Sequence, residues 1–148
     1  MKKQRPKPYK RVIVFGVFDG FHEGHHSFLS QAISYGTKLI IVVARDQSVK
    51  DLKNKSPRQS ETDRLKSVRA FSIFAKPVLG DLAPSSYKVI KMNKPDAICL
   101  GYDQNFLKID LQRSMRQGTI PETPIIQLKA YRPRRLHTSL IPVNRKGK

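Results

Sequence analysis

Cysteine is nearly missing from this chain of 148 residues: Cys99 is the only one, and it sits inside an apolar run. One thiol excludes an intramolecular disulfide framework and any cysteine-rich zinc site. Acid is scarce as well, with 11 Asp and Glu against 29 Lys and Arg, so the formal net charge is +18. No apolar run approaches the ~20 residues that a membrane-spanning helix needs. The apolar stretch VIVFGVF is broken by Gly16 and leads into charge, unlike a signal peptide, so a cytoplasmic protein is expected. Aromatic residues make up 8% and lie mostly in apolar runs, leaving no visible stacking platform interleaved with Lys or Arg. Two phosphate-binding patterns are absent: GxxxxGK[ST], which excludes a Walker loop, and GxGxxG, which excludes a dinucleotide fingerprint.

The positive charge that is present gathers at the ends. Residues 1–11 carry six basic side chains and residues 129–148 carry seven, and neither stretch contains an acid. Such ends attract polyanions, so non-specific RNA contact is one expectation and a solvated tail is the other. The length suits one domain with its own core. That domain is expected over residues 11–143, between basic tails at 1–10 and 144–148.

Along the chain, short β-branched apolar runs alternate with segments of helical period. Strands are expected at 11–18, 38–45, 75–81, 96–103 and 124–130, and helices at 25–36, 60–71, 85–94 and 106–118. Ser60 and Asp63 form a variant capping box for the second helix, while Gly36 and Gly118 stop the first and last. Residues 46–59 read as a polar, mobile loop with a short helical piece, and 137–145 as a short helix or loop interrupted by Pro142. Five strand–helix alternations predict an α/β protein with a single doubly wound, five-stranded parallel sheet. In such sheets ligands bind beyond the carboxyl ends of the strands. The relevant segments are 16–25, 101–104 and 131–139.

The stretch FDGFHEGHH, residues 18–26, admits two readings. As HExxH it would be a zinc-hydrolase helix, but Gly24 would then sit mid-helix at a cost of about 1 kcal/mol. A turn at Asp19-Gly20 also directly precedes His22. As HxGH it places a glycine-containing turn and a helix N-terminus after a strand, which makes an anion site. Gly16 and Gly20 would let the backbone approach a triphosphate, and His22 and His25 could both donate N–H groups to phosphate oxygens.

The segment GVFDGFHEGHHSFLSQA resembles the G-[TS]-F-D-x-x-H-x-G-H-x-x-x-L signature of the cytidylyltransferase-like nucleotidyltransferases. That family includes glycerol-3-phosphate cytidylyltransferases and archaeal-type FAD synthases. The resemblance continues through VVARDQSVKDLKNKSP, ETDRLKSV and KPDAICLGYDQ, and ends in RPRRLHTSLI, a drifted form of the family's last motif. VVARD and LGYDQ are most similar to the FAD-synthase branch.

The resemblance implies transfer of a nucleoside monophosphate from ATP or CTP to a phosphorylated acceptor, with release of pyrophosphate. The lean is toward FAD synthase-like chemistry. A CTP-dependent glycerol-3-phosphate cytidylyltransferase-like enzyme is the alternative, and an RNA-binding protein on the same fold is an alternative of another class. By similarity, His22, His25 and Lys53 would be catalytic. The nucleotide would meet Gly16, Val17, Phe18, Lys55, Gly101, Asp103, Gln104, Arg132, Thr138 and Ser139. Arg64 would reach phosphate or brace the loop through Glu61, and Asp19 would hold the turn or meet a metal-bound water. Mg²⁺ would arrive with the triphosphate, and relatives suggest a homodimer. Val17 departs from the usual Thr or Ser and His137 from a common Ser, which leaves base and acceptor preference open.

Overall fold

The computed structural model describes residues 7–131. Five strands are separated by helices as the sequence predicts, with two helices between the second and third: β1 (Tyr9–Gly16), α1 (Glu23–Ile33), β2 (Gly36–Val43), α2 (Asp46–Lys53), α3 (Glu61–Arg69), β3 (Ala75–Leu79), α4 (Lys88–Asn93), β4 (Ala97–Leu100), α5 (Asn105–Arg116) and β5 (Ile125–Gln127). The five strands pair in the order β3-β2-β1-β4-β5, and every pairing is parallel. The expected doubly wound α/β sheet is therefore present.

Strand alternation explains why both faces carry helices. Val12, Val14, Leu39, Ile41, Val43, Ala97 and Cys99 point to one face, where Leu29 and Ala32 of α1 and Val68 of α3 cover them. Ile13, Ile40, Val42, Ile98 and Leu100 point to the other, under Val89 and Ile90 of α4 and Leu111 of α5. Each fully buried aliphatic side chain contributes about 1.5–3 kcal/mol. A strand buried on both sides has no polar face to show, which is why these strands read as continuous apolar runs.

Two elements differ from expectation. Residues 46–53 form a full helix, because Val49 finds a buried site and Asn54 closes the end with φ +58°. Asp46 favours the positive end of α2 and Lys50 and Lys53 its negative end. The helix before β4 starts at Lys88 instead of residue 85, since Ser85 and Tyr87 take positive φ. The Tyr87 hydroxyl and Ser85 Oγ both donate to Asp110 of α5, which ties this turn to the neighbouring helix.

After β3 the chain crosses to the far side of β1, so the strand order reverses between β1 and β4. Their carboxyl ends therefore open a crevice at the switch point. Gly16 ends β1 there and Gly101 follows β4.

Candidate active site

The turn between β1 and α1 is built around Phe18. Its backbone is left-handed, with φ +57°, a conformation that costs a non-glycine residue of order 1–3 kcal/mol. Burial of the ring, which is 2% exposed, offsets that cost. A Cβ on Gly16 would lie 2.7 Å from this ring. The missing side chain at Gly16 thus makes room for Phe18, a local packing need that differs from the ligand approach expected of it. The Phe18 ring stands edge-on to His25, with centroids 5.5 Å apart.

His22 is the N-cap of α1, with extended backbone, and His25 lies in the first turn. His22 Nδ1 accepts from the Gly24 amide at 3.0 Å. His25 Nδ1 accepts from the His22 amide at 3.2 Å. The two rings stack, with centroids 3.8 Å apart and 24° between planes. Because both Nδ1 atoms are acceptors, the proton of each neutral ring resides on Nε2. Two Nε2–H donors are therefore presented together at the positive end of a helix. Burial, then the adjacent His22, pushes the pKa of His25 down to about 4, so it is a neutral donor at physiological pH.

This arrangement does not match the HExxH reading. His22 lies outside the helix and pairs with His25. His26 turns elsewhere, with its ring against Phe71 at 5.4 Å and Nδ1 3.3 Å from Ser30 Oγ. HExxH needs its two histidines one turn apart on one helix face. Among the described residues no group of three or more His, Cys, Asp or Glu could hold a metal ion.

The loop is held from below by residues distant in sequence. The Asp19 carboxylate accepts from the amides of Arg58 at 2.8 Å and Gln59 at 2.9 Å. These bonds, the Arg58 amide foremost, hold its pKa below the usual carboxylate range. Asp19 therefore holds the turn. Gly20, with φ +62°, donates its amide to Gln59 Oε1 at 2.8 Å. Arg64 is fully buried. Its Nε donates to Gln59 O, and Nη1 donates to Val17 O at 3.0 Å and Ala44 O at 2.7 Å. Nη2 meets Asp46 Oδ1 at 2.5 Å. The expectation that Arg64 reaches phosphate is corrected: its guanidinium is spent on three carbonyls and a carboxylate. It braces the loop through Asp46, which in turn exchanges amide bonds with Glu61.

Gln104 is likewise placed between strands. Its Nε2 donates to Phe15 O and its Oε1 accepts from the Gly101 amide, both at 2.8 Å, which locks the ends of β1 and β4 together. Asp103 and Tyr102 are exposed beside it. Lys53 ends α2 and Lys55 follows it. Both are exposed, and no ion pair among the described residues involves them. The structure brings together 16–25 and 101–104, and leaves these lysines without contact to the imidazoles. Arg132, His137, Thr138 and Ser139 lie outside the described residues. Tyr131 donates to Glu23 Oε2 at 2.6 Å, so the chain after β5 arrives at the first turn of α1.

The bracing roles of Gln59, Asp46 and Tyr131 had no signal in the sequence, because the side chains or amides they hold are 15 to 108 residues away.

A parallel sheet with paired imidazole donors at its switch point suits a nucleotidyltransferase, an enzyme that needs charge stabilisation around phosphorus and no activated serine or cysteine. The chain belongs to the cytidylyltransferase-like family, whose model matches residues 13–141. It is 41% identical to the FAD synthase of Pyrococcus horikoshii over 106 residues, 72% of each chain. It is 37% identical to the FAD synthase of Pyrococcus abyssi over 131 residues, 88% of each. Among solved structures it is similar to the lipopolysaccharide core biosynthesis protein of Thermoplasma volcanium, with TM-score 0.75 and 32% identity over 84% of this chain and 99% of that one. Pantoate-beta-alanine ligase from Francisella tularensis, at 14% identity and TM-score 0.60, shares the fold, with 88% of this chain and 62% of that one covered. Among the described residues no helix is long and apolar enough to cross a membrane.

Proposed function

We propose that this enzyme is an FMN adenylyltransferase, joining AMP from ATP to the phosphate of FMN to give FAD and pyrophosphate. The observation that carries the reading is the stacked His22–His25 pair in a chain whose relatives are FAD synthases. A phosphate oxygen of FMN attacks the α-phosphorus of ATP, and the bond from that phosphorus to the bridging oxygen breaks. The electron pair leaves with pyrophosphate. Charge grows on the oxygens around phosphorus, where two Nε2–H donors and the amides at the start of α1 oppose it. His25, a neutral donor, suits this role, since it need neither gain nor lose a proton during transfer.

The backbone of Gly16–Phe18 would line the nucleotide, and Gly101 and Asp103 would face its ribose or base. Lys53 and Lys55 would close over the phosphates as a basic tip on an anchored base. Arg132, Thr138 and Ser139 would complete the site, as the family motif implies. Mg²⁺ would enter with ATP, held by phosphate oxygens and water. The fit is to the substrate more than to the protein, because Asp19, the acid of the β1–α1 turn, is engaged by two amides. The reaction would run in the cytoplasm, and a homodimer is compatible with it.

Pyrophosphate release measured with ATP or CTP, Mg²⁺ and either FMN or glycerol 3-phosphate tests the reading. Release with ATP and FMN, with FAD fluorescence as the second product signal, is expected. Release with CTP and glycerol 3-phosphate alone would replace it with the cytidylyltransferase reading.

A further inference from the structure

β3 is one of the two outer strands of the sheet, and two clefts lie along it. One, of about 560 Å³, is walled by Lys38, Arg69, Phe74 and Lys76. The other, of about 480 Å³, lies between β3 and α4 and carries Lys76, Lys88 and Arg45. Lys76 belongs to both, so cations from β2, α3, α4 and the start of α2 gather on either side of this strand. Asp81 is the one carboxylate lining either cleft. Neither ion pair among the described residues involves these cations. Lys76 donates to the neutral amide of Asn93 at 3.0 Å and Arg45 to the carbonyl of Gly80 at 2.7 Å, which leaves the charge uncompensated. Beside the cations the Phe74 ring is 58% exposed.

We propose that this edge of the sheet is a binding site for single-stranded nucleic acid, with phosphates along the cations and a base stacked on Phe74. A group of uncompensated cations releases counterions when it neutralises phosphates. An exposed ring adds base stacking that tolerates any sequence. The Phe74 ring lies in the same shallow cleft as Lys38, Arg69 and Lys76, which fits bases and phosphates side by side better than the headgroup layer of a membrane. The site is separate from the crevice at β1 and β4, and the proposal stands whether or not the acceptor is FMN.

The test is fluorescence anisotropy of the full chain with a labelled oligouridylate of about ten nucleotides, over a salt series. Binding is expected to weaken linearly in log salt, with each phosphate contact contributing about 0.7 to the slope. The double variant Lys38→Glu, Lys76→Glu should bind about a hundredfold more weakly at low salt and with a shallower slope. Phe74→Ala should bind about tenfold more weakly with the slope unchanged. All should keep wild-type nucleotidyl transfer and Tm; should the charge reversals lower Tm, Lys38→Gln with Lys76→Gln serves instead. No binding by the wild type at low salt would overturn the proposal. So would variants that bind like the wild type, since the basic ends would then be the site. Loss of binding to anionic phospholipid vesicles in the variants, with oligonucleotide binding unchanged, would overturn it in favour of a membrane surface.

Discussion

The imidazoles of His22 and His25 lie face to face, 3.8 Å between centroids, and each uses its Nδ1 to hold a backbone amide at the start of α1. One pair of contacts thus caps a helix and fixes two tautomers. The cap and the site cannot be separated, which gives the neighbouring glycine a definite role.

Gly24→Ala tests that role. Alanine raises helix propensity by about 1 kcal/mol, yet its Cβ would lie 2.9 Å from His22 Cε1 and displace the ring. Turnover should fall about tenfold or more while urea unfolding shows a change within about 1 kcal/mol. A variant with full turnover would show that the position of the His22 ring is unimportant.

His25→Ala should lower kcat by about 10²–10³, as for loss of one transition-state donor. Stability should fall by only about 1 kcal/mol, the worth of a cap. An equal collapse of Tm would return His25 to a purely structural role.

The pH dependence follows from burial of the same ring. His25 has a folded pKa of about 4 against 6.5 ordinarily. Between these values the unfolded chain binds the extra proton, so the stability contributed by neutral His25 is complete above about 6.5. It is lost progressively as pH falls through 4. NMR titration of the His25 ring should show its midpoint well below 6, and the acid limb of kcat assigned to this residue should lie there too. A midpoint near 6.5 would mean that the ring is not desolvated.

Arg64→Met removes the donor for Val17 O, Ala44 O and Gln59 O and the partner of Asp46. A loss of about 3 kcal/mol in urea unfolding is expected, with a raised KM for the nucleotide as the loop loosens. Wild-type stability would show that the carbonyls find other donors.

Lys53→Ala and Lys55→Ala should leave stability within about 0.5 kcal/mol, because both side chains are exposed. KM for the triphosphate should rise several-fold, more at low salt, where their charge is least screened. No change in kinetics would make them solvated surface.

The alternation of five strands with helices was legible in the sequence, because hydrophobic period is a property of neighbours within a few residues. The same holds for the capping role of Ser60, whose side chain accepts from the Asp63 amide, and for the placing of His22 before α1 and His25 in its first turn. The helix at 46–53 was legible only as a short helical piece, because its helical period rests on one buried residue, Val49, in a polar stretch. What only the tertiary structure decided was which side chains are spent on the fold. Arg64 and Gln104 stand as ligand contacts in a linear motif, and the structure gives both bracing bonds to carbonyls 5 to 89 residues away. Gly16 also makes room for the Phe18 ring, a packing need that the linear motif does not show. The cationic edge of β3 joins residues from Lys38 to Lys88, spread too widely for any run of charge to reveal. Local pattern fixes backbone conformation; long-range packing selects partners, and only partners determine which polar groups remain for a ligand.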